Sequence, residues 1–169
     1  MDIVSGMREL RLHGQNKPFI KYLLARITSF IEEQSGMGNN FVKYMQNPGG
    51  KPFEIEHIWS DHPERHLVDF NYPEDFKNYR NKIGDLVLLL NGTNQSFNDM
   101  NENEKIPHYI KENLLAASLC DELYVKNPNF YKFINSKNLN FKTYKDFDKV
   151  AIEERGVLYG KIAEMIWDL

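Results

Sequence analysis

Two short stretches, Phe53 to His57 and Leu86 to Leu90, constrain this 169-residue chain more than anything else in it. In the first, Phe53, Ile55 and His57 alternate with Glu54, Glu56 and Ile58, the period-two pattern of a short strand. The second is a continuous apolar run bounded by Gly84 and Gly92, which reads as a buried strand. What surrounds them carries helical periodicity or turn residues. The fold class expected is therefore α+β, mostly helical, with a small two-stranded element inserted.

Three long helices are expected around that element. Over residues 17–36, Ile20, Leu23, Leu24, Ile27, Phe30 and Ile31 recur at helical spacing, Pro18 suits a first turn, and Gly36 and Gly38 supply the stop. A second helix is expected over 109–125, from Ile110, Leu114, Leu115, Ala117, Leu119 and Leu123. A third is expected over 146–167, with Phe147, Val150, Leu158, Ile162, Met165 and Ile166 on one face. Residues 37–52 carry Asn39-Asn40 and Asn47-Pro48-Gly49-Gly50 and read as a loop. Residues 60–82 read as a long irregular connection with one helical turn near 75–79, and 127–145 as short irregular pieces. The whole of 1–169 is expected to form one domain, with 53–105 at its centre.

Charge and hydropathy set further bounds. A net charge of −3 argues against a surface that grips nucleic acid all over, and leaves room for a local basic groove. No apolar run approaches the roughly 20 residues that span a bilayer. The N-terminus lacks a charged leader and an apolar signal core, so a cytoplasmic protein is expected. The one cysteine, Cys120, lies in an apolar stretch and reads as a small core residue, which excludes a disulfide within the chain.

The residues that carry chemistry cluster near the strands. Hydrolysis of a phosphodiester needs a base to activate water and a divalent cation with hard oxygen ligands. His57 is a natural base because imidazole titrates near neutral pH. Glu56 and Asn94 offer oxygen ligands suited to Mg2+, with Mn2+ also accommodated. Adjacent residues of a regular strand point to opposite faces, so Glu56 and His57 share a site only where the strand ends, twists or bulges. Taken singly, such a Glu-His pair is more often a surface carboxylate beside a hydrogen-bonded histidine. An isolated Asn94 is more often a turn residue or helix cap, and an isolated Lys105 an exposed lysine. Arg65, Arg80 and Lys82 are candidates for holding phosphates or for a solvated loop. His62 and His66 flank the site, where an auxiliary role competes with plain exposure. Arg155, between Glu154 and the apolar Gly156-Val157-Leu158, reads as a structural ion pair with Glu153 and Glu154.

In order along the chain stand Glu56-His57-Ile58, then Asn81-Lys82-Ile83-Gly84-Asp85-Leu86-Val87-Leu88-Leu89, then Asn94, Phe97 and Lys105, and later Ile152-Glu153-Glu154-Arg155. That combination resembles the HNH, or His-Me finger, endonucleases, and most closely the DUF1524 branch at the C-terminus of GmrSD-type restriction proteins. The resemblance spans roughly 17–169 and is specific over 53–105. It implies a ββα-metal core of two short antiparallel strands and a helix, surrounded by long helices.

The resemblance also assigns roles. His57 is implied as general base, Glu56 and Asn94 as ligands of a divalent cation, and Lys105 as a group near the scissile phosphate. Asp85 falls where the family carries an asparagine that braces the loop and orients the histidine. Aspartate keeps the acceptor oxygens, loses the amide donor and adds a charge; Asn81 is a candidate to share the bracing. The implied function is metal-dependent cleavage or nicking of foreign or modified DNA in antiphage restriction. The implied setting is a larger protein, with an N-terminal NTPase-like sensor domain or a partner subunit, and a homodimer for double-strand cleavage. A catalytically degenerate DNA- or protein-binding module and an RNase or toxin-like nuclease are the alternatives.

Overall fold

Strands β1 (Phe53–His57) and β2 (Leu86–Leu90) pair antiparallel, in a register that runs from Phe53 opposite Leu90 to His57 opposite Leu86. The structure, a computed structural model, describes residues 2–169, with the side chain of Asn94 outside the described residues. Leu86 to Leu89 are completely buried, as their unbroken apolar run requires. The two-residue periodicity and the apolar run thus sit where the sequence puts them.

Helices enclose this pair. In chain order they are α1 (Ile3–Glu9), α2 (Lys17–Gln34), α3 (Phe41–Gln46), α4 (Pro73–Arg80), α5 (Thr93–Ser96), α6 (Glu102–Lys105), α7 (Leu114–Ala117), α8 (Asp121–Lys126), α9 (Pro128–Ser136) and α10 (Lys149–Trp167). The expected helices over 17–36 and 146–167 are α2 and α10. No helix among the described residues is long and apolar enough to cross a membrane.

The expected helix over 109–125 is not continuous. Its first residues finish a 3-10 stretch, Ile106–Lys111, and the chain then restarts at α7, where the Asn113 side chain accepts the Ala116 N–H. Cys120 is extended (φ −108°, ψ 132°) and breaks the path again before α8. Apolar spacing gave one long helix because it carries no information about such restarts. In the opposite direction, 127–145 holds the regular helix α9, with Pro128 in its first turn and Asn127 capping the Phe130 N–H. The stretch 37–52 holds α3, and 60–82 holds a 3-10 turn at Pro63–His66 and the two turns of α4.

Helix α10 is the frame against which the site is built. Gly156 and Gly160 let α1 approach: a Cβ at Gly160 would stand 2.7 Å from Val4 Cα, and one at Gly156 would stand 3.1 Å from Arg8 Cα. On another side, the 3-10 turn Ile83–Asp85 presses Gly84 against α10 so closely that a Cβ would collide with the Ile152 carbonyl oxygen. Substitution there needs backbone to move.

Arg155, also on α10, is buried and does not pair with Glu153 or Glu154 as expected. Its guanidinium donates to the Leu115 carbonyl (3.1 Å), to Ser118 Oγ (3.2 Å) and to Tyr159 Oη (2.9 Å). Tyr159 in turn donates to the Leu86 carbonyl at 2.9 Å. Glu153 instead meets Arg8 and Lys82, and Glu154 meets Lys142. The helix turns those carboxylates outward while Arg155 faces inward, and neutral oxygens take the place of a counterion.

Candidate active site

A polar cleft of about 370 Å³ opens at the C-terminal end of β1, lined among others by Glu56, His57, Asp61, His62, Arg80 and Lys105. The alternation problem raised by adjacent Glu56 and His57 is resolved by position. His57 is the last residue of the strand, and both residues line this cleft.

The turn after His57 is held from three directions. The Ile58 N–H donates to the Asp85 carbonyl (2.8 Å), and the Trp59 N–H donates to Asp85 Oδ1 (3.0 Å). The Trp59 carbonyl accepts the Arg80 Nε–H at 2.8 Å, and its indole N–H donates to the Phe147 carbonyl at 2.7 Å. Trp59 is fully buried and stacks on Phe76, with ring centroids 5.8 Å apart. An apolar anchor and a polar brace together set the direction of the chain beyond His57.

His57 is half-buried, and its Nε2 lies 2.8 Å from Asn81 Oδ1. An amide oxygen accepts, so the ring proton sits on Nε2 and the lone pair is left on Nδ1. Burial first and the nearby Arg80 guanidinium second hold the imidazole down to about 4, with the Asn81 contact pulling the other way. A ring in that condition is neutral at physiological pH and has one nitrogen ready to take a proton.

Glu56 and Lys105 form a buried ion pair, Nζ to Oε1 at 3.0 Å, and the same Nζ donates to the His57 carbonyl at 2.8 Å. Lys105 is not an exposed lysine. An Asn101–Glu104 capping box starts α6 and sets Lys105 at its last position, facing inward. Burial holds the Glu56 carboxyl above the usual range, with Lys105 and Arg80 acting against that shift.

Asp85 is completely buried. Its Oδ1 takes the Trp59 N–H, while its Oδ2 has no hydrogen-bond partner among the described residues. Burial raises this carboxyl well above the ordinary value, with the Trp59 N–H, Arg80 and Lys105 acting against that shift. Asn94 falls on α5, the single turn that follows β2, and its side chain lies outside the described residues. The helix after β2 is thus shorter than a ββα layout suggests, in a stretch rich in Asn and Ser with weak helix propensity.

His66 is stacked on Trp59 at 4.2 Å and belongs to the wall's foundation, whereas His62 lines the cleft. Arg80 also lines it, whereas Lys82 is turned away toward Glu153 and Glu9, and Arg65 donates to the Asp99 carbonyl. Asp61 and Asn98 line the cleft as well, and no local pattern singles them out.

For a cation, the cleft holds Glu56 of the implied pair, with Asp61 as a second carboxylate in its lining. Glu56 keeps Oε2 without a hydrogen bond among the described residues, while Oε1 is held by Lys105. No group of three or more His, Cys, Asp or Glu side chains able to hold a metal occurs among the described residues. Among the described residues that lining falls short of a site closed by protein ligands, so a hard cation here would complete its shell with water and substrate phosphate.

The profile of the family described as GmrSD restriction endonucleases, C-terminal domain, matches residues 7–162. No curated protein and no solved structure matches the chain.

Proposed function

The chain belongs to the family of GmrSD restriction endonuclease C-terminal domains, and from that premise we propose that it is a metal-dependent DNA endonuclease of the His-Me finger type. The observation that carries the reading is the convergence, in one polar cleft, of a histidine whose Nδ1 has no partner among the described residues, a carboxylate and a guanidinium with no ion pair among them.

Each residue then has a task. His57 Nδ1 takes a proton from water, and the resulting hydroxide attacks phosphorus. Asn81 holds the ring through Nε2–H, and Asp85, by fastening Trp59, sets the turn that aims it. Arg80, fastened through Nε and forming no ion pair among the described residues, presents its remaining N–H groups to the phosphate. Lys105 keeps Glu56 in place and ties it to the His57 backbone. Glu56 and Asn94 would hold the divalent cation, Mg2+ by ligand hardness or Mn2+. Bound there, the cation offsets charge on the phosphate and on the departing 3′ oxygen. Modified or foreign DNA in an antiphage restriction setting is the substrate this reading favours.

The rival reading, a module that binds without cutting, rested on aspartate at position 85. Asp85 fastens the Trp59 N–H through Oδ1, a contact that supports a bracing role and weighs against the rival. The test is plasmid nicking with Mg2+ or Mn2+, comparing the parent with His57→Ala. Metal-dependent cleavage that falls by about 10²–10⁴ in the variant supports the proposal. A parent that cuts under neither ion overturns it in favour of a binding module, and preference for RNA under matched conditions turns it into a ribonuclease.

A further inference from the structure

Resting on the nuclease reading above, we propose that His62 is the general acid of the reaction, protonating the 3′ oxygen as it departs. An alkoxide leaves poorly at neutral pH, and a positioned proton donor contributes about 10²–10⁴-fold to such steps. His57 cannot supply that proton in the same step. Its Nε2–H is committed to Asn81, and its Nδ1 is receiving a proton from water.

His62 shares the cleft with His57 and has the arrangement an acid needs. Its Nδ1 lies 2.7 Å from Glu64 Oε1. A carboxylate accepts, so Nδ1 carries a hydrogen, and Nε2 is the nitrogen left without a partner among the described residues. Glu64 is held below the usual carboxylate range by its own backbone N–H and then by His62, so it stands ionised to offset an imidazolium.

The segment that carries the pair is fastened on both sides. Ser60 Oγ–H donates to the Met100 carbonyl, and the His62 N–H donates to the Ser60 carbonyl (2.8 Å). The Arg65 N–H returns to the His62 carbonyl (3.0 Å), Arg65 Nη2 reaches the Asp99 carbonyl (3.1 Å), and His66 stacks on Trp59. Among the other polar groups of the cleft, Lys105 is engaged by Glu56 and the His57 carbonyl, and Arg80 does not give up protons. Of the two imidazoles in the cleft, His62 is the one whose ring nitrogen is left to deliver a proton.

The step balances. The water oxygen bonds to phosphorus as the P–O3′ bond breaks, and the water proton passes to His57 Nδ1. O3′ keeps the bonding pair and takes the Nε2 proton of His62. The products are a 5′-phosphate and a 3′-hydroxyl, and both histidines then re-equilibrate with solvent.

Leaving-group chemistry tests this without confusing it with folding. Parent, His57→Ala, His62→Ala and Glu64→Gln are compared on plasmid DNA and on bis(p-nitrophenyl) phosphate, whose p-nitrophenolate departs without a proton. His62→Ala is expected to lose about 10²-fold on DNA and no more than about threefold on the activated diester, while His57→Ala falls on both. Glu64→Gln is expected to repeat the DNA-selective loss at about tenfold. Equal losses of His62→Ala on both substrates, or unchanged DNA cleavage, overturn the assignment while the parent's activity keeps the nuclease reading standing. A parent inactive on both substrates sinks the nuclease reading itself, and this step with it.

Discussion

Two buried cations flank one rung of the β-ladder and are treated in opposite ways. Lys105 donates to the carbonyl of His57, and Arg155 acts through Tyr159 on the carbonyl of Leu86, which is the register partner of His57. Lys105 has a carboxylate beside it and borders an open cleft. Arg155 has hydroxyl and carbonyl oxygens and is sealed in the core. A charge met by neutral dipoles on all sides holds structure together. A charge shared with a carboxylate at the edge of a cleft can be redistributed when an anion arrives. The first arrangement belongs to the frame and the second to the site.

The comparison can be broken at several points. Arg155→Ala should cost the most stability, about 3–5 kcal/mol, since it leaves a cavity and several oxygens without their donor. Denaturant melts measure the cost. Cleavage per folded molecule should survive, and abolished cleavage in a fully stable protein would erase the distinction between frame and site.

Lys105→Met comes next, at about 2–4 kcal/mol at pH 8, because Glu56 is left as an unpaired buried acid. The Glu56 carboxyl is already raised by burial, and loss of the cation raises it further. The folded variant therefore binds a proton that the unfolded chain gives up near the ordinary value, and its stability falls as pH rises. Melts between pH 4 and 8 should show the gap from the parent widening with pH. A constant gap would mean that Lys105 acts through the His57 carbonyl alone.

Asp85→Asn should work in the other direction. The raised Asp85 carboxyl also favours the protonated fold, so the parent loses stability as pH climbs above about 4, where the unfolded side chain ionises. The asparagine variant carries no such penalty and should gain about 1–3 kcal/mol at pH 7 and close to nothing at pH 4. A variant less stable than its parent at pH 7 would show that the buried acid finds a partner that an amide cannot satisfy.

Tyr159→Phe is expected to cost about 1–3 kcal/mol in a thermal melt, for the two bonds that link Arg155 through the hydroxyl to the Leu86 carbonyl. An accompanying drop in cleavage would show that the sealed cluster reaches across the rung to His57.

The legible parts of this molecule are those written in local periodicity. Alternation from Phe53 to His57, the run from Leu86 to Leu90, and the apolar faces of α2 and α10 all repeat within a few residues. Helix α1 is short, and what holds it is the flat flank made by Gly156 and Gly160 far along the chain, so its own residues do not announce it. Pro128 opens α9 but sits among Asn and Lys residues that read as loop. In the site, Glu56 and His57 were visible as a pair, whereas Lys105 stands 49 positions from Glu56 and 48 from His57. A contact of that separation leaves no local pattern, and the family resemblance alone pointed to it. Arg155 was misread for the same reason: its adjacent glutamates are neighbours in sequence and not in space.

The close seat of Gly84 carries a consequence for how such a chain can change over generations. A clash with a side chain can be relieved by a second substitution in that side chain. A clash with a main-chain oxygen, such as that of Ile152, has no such remedy. Position 84 is therefore closed to drift, whereas position 85 needs an oxygen for the Trp59 N–H and can exchange one such residue for another. The tightest constraint on this turn is the empty space beside a carbonyl, and the side chain next to it is held only to carrying an acceptor oxygen.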